Sequence, residues 1–217
     1  MTPDWPLYLI TDRHQVGAHG FLPTIESALQ AGIRAIQLRE KDLAPQALLA
    51  LAREVRALTA RAGARLIING RLDVMFAVDA DGVHLRSESV PTHTVRRVIG
   101  PNKFLGVSTH SMDEAQRAAD EGADFVTFGP VYDTPSKIRY GRPVGLAALA
   151  AVCRRVRVPV YALGGVSRAK IREVLGAGAY GVAMISEIMS SRDARRAAHE
   201  CVEVLRAASR DGSVDHR

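Results

Sequence analysis

PVYALGGVSRAKIREVLGAGAYGVAMI, residues 159–185, contains the repeating unit on which the fold is built. Two short apolar runs, PVYALG (159–164) and GVAMI (181–185), bracket an amphipathic stretch over Arg168–Ala177 that follows Ser167 and stops at Gly178. Runs of this length with turn residues at their edges fit strands, and their near-continuous apolarity fits strands covered on both faces, as in a parallel sheet. The unit is strand, helix, strand.

The same unit recurs outward toward both ends of the chain. Six further strands are expected at LYLIT (7–11), AIQLR (35–39), RLIIN (65–69), GVHL (82–85), FLGVST (104–109) and FVTFG (125–129). Helices are expected over Thr24–Ala31, Pro45–Ala62, Leu72–Val78, Thr92–Ile99, Met112–Glu121, Leu146–Arg155 and Arg192–Ala208. Eight strands alternating with eight helices predict an α/β protein of one domain, a closed (β/α)8 TIM barrel over residues 1–208 with a polar tail over 209–217. The 217-residue length agrees, because such barrels use roughly 200–250 residues. Pro45 in a first turn, a capping box at Ser111 and Glu114, and Ser167 as a cap mark helix starts. Gly32, Gly63, Gly122 and Gly178 mark helix ends.

Composition excludes several classes. No apolar run reaches the ~18 residues of a membrane span, and the start MTPDWPLYLITD lacks an export signal, so a cytoplasmic protein without a membrane partner is expected. Cys153 and Cys201 have no neighbouring cysteine and are read as packing residues. The net charge of +6 raises the question of nucleic acid, but the arginines lie on several separate helices and aromatic residues make up only 5%, so no nucleic-acid partner is expected. Surplus positive charge also attracts small anions. Homo-oligomerisation is left open.

A TIM barrel builds its active site from the residues that leave the C-terminal ends of its strands. Gly164 and Gly165 after strand 7, with Ile185 and Ser186 after strand 8, occupy the place where such barrels commonly cradle phosphate; an ordinary tight turn is the plain alternative. Arg39 and Lys41 alternate with Glu40 and suit a carboxylate or phosphate, with Gln37 pointing the same way; a salt-bridge cluster is the alternative. Asn69 leaves strand 3, and Ser108 lies at the end of strand 5. His110, in STHS, is the best candidate for proton transfer, against a capping role, whereas His84 reads as a buried, satisfied strand residue. Thr134, Ser136 and Lys137 lie in the long excursion over 131–145, which reads as a functional lid. Acidic residues are sparse at strand ends, so no protein-held metal and no cofactor are expected.

Taken together, QLREKD, DGVHL, GVSTHS, FGPVYDTPSK, GGV and AMIS resemble the thiamine phosphate synthase and TenI superfamily, in the same order and over about residues 7–190. The resemblance implies a phosphate site at Gly165, Ile185 and Ser186, with Thr134, Ser136 and Lys137 closing over the ligand and His110 as acid or base. In the synthases, which join a pyrimidine pyrophosphate to a thiazole phosphate, two aspartates hold magnesium. Here those places read Asn69-Gly70-Arg71 and Arg86-Ser87-Glu88-Ser89. The Asn-Gly-Arg motif is similar to that of TenI proteins, some of which are thiazole tautomerases. The expectation is therefore a thiazole tautomerase, an isomerase of thiamine biosynthesis that aromatises a 2-carboxythiazole phosphate tautomer without a metal. The alternatives are a thiamine phosphate synthase, the one reading that calls for magnesium, and a non-catalytic thiazole phosphate binding or regulatory protein. Gln37, Arg39 and Lys41 are synthase-like and speak for the first alternative.

Overall fold

The computed structural model describes residues 1–18, 20–134 and 143–210. Eight strands close into a parallel barrel in chain order: β1 (Leu7–Ile10), β2 (Ala35–Leu38), β3 (Arg65–Asn69), β4 (Gly82–Leu85), β5 (Phe104–Thr109), β6 (Phe125–Phe128), β7 (Val160–Leu163) and β8 (Gly181–Met184). Around it run α1 (Phe21–Gln30), α2 (Pro45–Arg61), α3 (Leu72–Ala77), α4 (Thr92–Ile99), α5 (Met112–Asp120), α6 (Gly145–Arg155), α7 (Ile171–Gly176), α8 (Ser186–Met189) and α9 (Ala194–Arg210). The expected TIM barrel is the observed fold. No helix among the described residues is long and apolar enough to cross a membrane.

Period-2 alternation sorts the strand residues into two layers. Leu7, Leu9, Ile36, Leu66, Ile68, Val83 and Leu105 face outward and pack under the helices. Tyr8, Ala35, Ile67, Phe104, Phe125, Tyr161 and Ala183 face inward and fill the barrel. Large residues meet small ones across the register, Tyr8 lying between Ala35 of β2 and Ala183 of β8. The rings meet edge to face: Tyr8 and Phe125 at 5.5 Å and 90°, Phe125 and Tyr161 at 5.5 Å and 70°. Trp5 stands against Phe104 at 4.6 Å, below the strands, and its carbonyl accepts the Tyr161 hydroxyl at 2.7 Å. The lower barrel is thus solid, and open polar chemistry is confined to the upper mouth.

Helix boundaries depart from expectation where local chemistry differs. α1 starts at Phe21, because Pro23 is tolerated in a first turn and Gly20 supplies the entry with φ of 82°. Ser167 makes no side-chain cap; a 3-10 turn over Arg168–Lys170 precedes α7. The Ser111 hydroxyl accepts the Glu114 amide at 3.2 Å, but the Glu114 carboxylate reaches back to the His110 amide at 2.6 Å, one residue beyond an ordinary capping box. The one-turn helix α8 was not expected, and α9 continues through Ser209 and Arg210, past the boundary at 208.

Candidate active site

The floor of the mouth is a polar layer set on the aromatic plug. Gln37 of β2 is buried, and its Nε2 donates to the Tyr8 hydroxyl at 3.1 Å. Burial pushes the Tyr8 hydroxyl far above its ordinary pKa, so it stays neutral. Across the barrel, His84 Nε2 pairs with Ser108 Oγ at 3.0 Å, and the Thr127 hydroxyl lies 3.5 Å from the same oxygen. Burial, with the Arg39 charge as a second cause, pushes the His84 pKa down to about 3. The imidazole is therefore neutral at physiological pH. Its Nδ1 is buried and has no hydrogen-bond partner. Sequence reading placed His84 as buried and satisfied; it is buried, but half satisfied.

The β1 and β2 ends are locked to one another by Glu40, which is buried. Its carboxylate accepts the Thr11 hydroxyl at 2.6 Å and the Arg13 amide at 3.1 Å, and lies 3.5 Å from the Arg13 guanidinium. Thr11 Oγ1 in turn accepts the Arg39 amide at 2.9 Å. Glu40 thus fixes the backbone from which Arg39 and Lys41 leave β2, a role the sequence did not disclose. The Arg39 charge also opposes protonation of His84.

At the β3 end, Asn69 is in register with His84. Gly70 follows with φ of 68°, its amide donating to the His84 carbonyl at 2.9 Å, and a Cβ there would meet nothing within 4 Å. Two acidic groups nearby are already committed. Asp73 takes two bonds from Arg71 at 2.8 and 2.5 Å, which hold its pKa at about 2. Asp42 binds Arg13 at 2.5 and 2.7 Å and is held far below the ordinary carboxylate range. Ser89 Oγ accepts the Arg86 amide at 3.0 Å within its own loop. Among the described residues, no group of three or more His, Cys, Asp or Glu is arranged to hold a metal.

His110 is exposed at the end of β5, with Nδ1 against the Gly129 carbonyl. Only an Nδ1–H can bond a carbonyl, so the bond fixes the tautomer and leaves Nε2 as the atom for proton exchange. Gly164 and Gly165 leave β7 with φ of 92° and 65°, and the start of the β6–α6 connection packs directly on them. A Cβ on Gly164 would lie 2.5 Å from Pro130 Cβ, and one on Gly165 would lie 2.6 Å from the Asp133 carbonyl. Ile185 and Ser186 stand on the adjacent strand end, where Ile185 opens α8. Thr134 is half-buried beside this loop. Ser136 and Lys137 lie outside the described residues.

The sequence profile of the family described as thiamine monophosphate synthase matches residues 7–188. A thiamine-phosphate synthase of Roseiflexus sp. (strain RS-1) is 43% identical over 90% of this chain and 84% of its own, and one of Moorella thermoacetica is 40% identical over 95% and 98%. A Geobacter sulfurreducens protein, 50% identical over 96% and 98%, carries the same name with a provisional qualifier. The solved thiamine phosphate pyrophosphorylase from Pyrococcus furiosus superposes with a TM-score of 0.84 at 34% identity, covering 94% of this chain and 96% of the other. These names describe a synthase, a transferase, and they overturn the expectation of a thiazole tautomerase and isomerase. The physical reason for the error is specific. Missing carboxylates at positions 70 and 89 bear on how pyrophosphate charge is met, not on which bond is made.

Proposed function

The chain belongs to the thiamine monophosphate synthase family, and on that premise we propose that it is a thiamine-phosphate synthase, joining hydroxymethylpyrimidine pyrophosphate to a thiazole phosphate. The observation that carries this reading is the near end-to-end match to relatives bearing that name.

In the proposed step the thiazole nitrogen forms a bond to the pyrimidine methylene carbon. The bond from that carbon to oxygen breaks, and pyrophosphate departs with the electron pair. The thiazole becomes a thiazolium cation, so charge and atoms balance with no redox partner. Gln37 and Ser108, held by Tyr8 and His84, hydrogen-bond the pyrimidine end. Arg39 and Lys41 meet the pyrophosphate, whose spreading charge is best stabilised by fixed cations. His110 Nε2 hydrogen-bonds or protonates the departing oxygen, while Asn69 borders the same end. The glycine turn at Gly164 and Gly165, with Ile185, Ser186 and Thr134, takes the thiazole phosphate.

The residues present do not fit a carboxylate-held magnesium. Position 70 has no side chain, position 89 is a serine engaged in its own turn, and Asp73 and Glu40 are each engaged by an arginine. At these positions the chain is similar to TenI proteins, and the proposed step uses its own cations. Purified protein with both substrates is expected to release pyrophosphate and form thiamine phosphate. Absence of pyrophosphate release above a heat-inactivated control, with and without added magnesium, refutes the reading.

A further inference from the structure

The carbonyls of the glycine turn are each held from outside. The Gly164 carbonyl accepts the Tyr132 amide at 3.0 Å, and the Gly165 carbonyl accepts Lys170 Nζ at 3.2 Å. In a planar trans peptide the C=O and the following N–H point in opposite directions. Fixing these two carbonyls therefore aims two consecutive amides, those of Gly165 and Val166, the other way. Consecutive amides converging from a turn with positive φ form a concavity suited to an anion.

Lys170 does not hang free over this turn. Its Nζ sits 3.9 Å from the centre of the Tyr132 ring, within the range of a cation–π contact. The Tyr132 hydroxyl donates to Glu173 Oε2 at 2.6 Å, and burial together with that carboxylate raises the phenol's pKa, so it remains a donor. The ring is thus fixed at one end by Glu173 of α7 and at the other by its own amide on Gly164. Lys170 is gripped between the ring and the carbonyl it holds.

We propose that Lys170, clasped by Tyr132, is a positioning residue that aims the Gly165 and Val166 amides at the phosphate of the thiazole substrate. The assignment rests on the synthase reading for the identity of the ligand, but the clasp itself has readouts that do not. The test compares wild type, Lys170→Met and Lys170→Arg. In Lys170→Met the KM for thiazole phosphate is expected to rise about fivefold to tenfold, from loss of one hydrogen bond and one cation–π contact. Its kcat and its KM for the pyrimidine pyrophosphate should stay within about twofold, because the other half of the site is untouched. Lys170→Arg, which keeps the charge and a donor, should recover most of the loss. Hydrogen exchange at the Tyr132 amide should speed up in Lys170→Met, and affinity for inorganic phosphate should fall. Unchanged exchange and unchanged phosphate affinity overturn the proposal, as does a uniform loss in all kinetic constants that tracks a lower Tm. A wild-type protein without synthase turnover would sink the functional reading alone, since exchange and phosphate binding would still judge the clasp.

Discussion

Replacing His84 with glutamine should flatten the acid side of the stability profile by a calculable amount. In the native protein His84 is fully buried with its pKa near 3, whereas in the unfolded chain it titrates at its ordinary value of 6.5. Above the unfolded value neither state binds the proton, and the residue adds no pH dependence. As pH falls below it, the unfolded chain takes up a proton that the native state refuses, so stability is lost with falling pH until the native pKa is reached. At about pH 5 the loss is roughly 2 kcal/mol, from the gap between the two titrations at 1.36 kcal/mol per unit. His84→Gln removes the titration and keeps a nitrogen able to face Ser108 Oγ, which now sits 3.0 Å from the imidazole. Urea unfolding of both proteins at about pH 7.5 and about pH 5 measures the difference, and all other titrating groups cancel between them. Wild type should lose about 2 kcal/mol more than the variant on acidification. Equal losses would mean that His84 is protonated in the native state, and the neutral, hydrogen-bonding floor of the site would be wrong.

Three further outcomes follow from the glycines and the acidic groups. Gly106→Ala should destabilise the fold by about 3 kcal/mol or more in denaturant unfolding, since its Cβ would lie 2.4 Å from Phe125 and 2.5 Å from His84 Nδ1. Gly165→Ala should cost about 1–2 kcal/mol for the left-handed backbone alone. It should also weaken thiazole phosphate binding in calorimetry, because the Asp133 carbonyl, 2.6 Å from the new Cβ, must move. The double variant Gly70→Asp, Ser89→Asp should bind magnesium more tightly than wild type in calorimetry, because position 70 has open space and a left-handed backbone that aspartate tolerates.

The barrel was legible because its strands are short, apolar on both faces and regularly spaced, a pattern that few other architectures produce. Residues leaving the strands could be named in advance for the same reason: the fold dictates which end carries chemistry. Two inward-facing partners in the floor of the site, Tyr8 and His84, were not legible as such. Tyr8 in LYLI and His84 in GVHL look like core positions, and it is the register of the neighbouring strands that sets them against Gln37 and Ser108. His84 pairs in register with Gly106, so its ring reaches Ser108 two residues further along only because Gly106 has no side chain in the way. Glu40 was hidden differently. Alternation predicts that it turns away from Arg39 and Lys41, but nothing in REKD shows that Thr11 and Arg13, nearly thirty residues earlier, receive it.

The error over activity has a physical lesson in the charges of the mouth. Two absent aspartates pointed to the tautomerase, whereas Gln37, Arg39 and Lys41, the groups proposed to meet the pyrimidine pyrophosphate, are synthase-like. Glu40 is turned onto Arg13 and Thr11 and adds no free negative charge to the opening. Under the synthase reading, a mouth without those two carboxylates does not itself oppose the pyrophosphate charge, and the cations at the β2 end are the groups proposed to attract it. Such attraction is screened by salt, with a Debye length of about 10 Å at 0.1 M. Raising ionic strength from about 0.05 to about 0.5 M should therefore raise the KM for the pyrimidine pyrophosphate more than that for the thiazole phosphate, whose turn binds largely through backbone amides. Equal salt sensitivity of the two KM values would show that the cations at the β2 end do not carry pyrophosphate recognition.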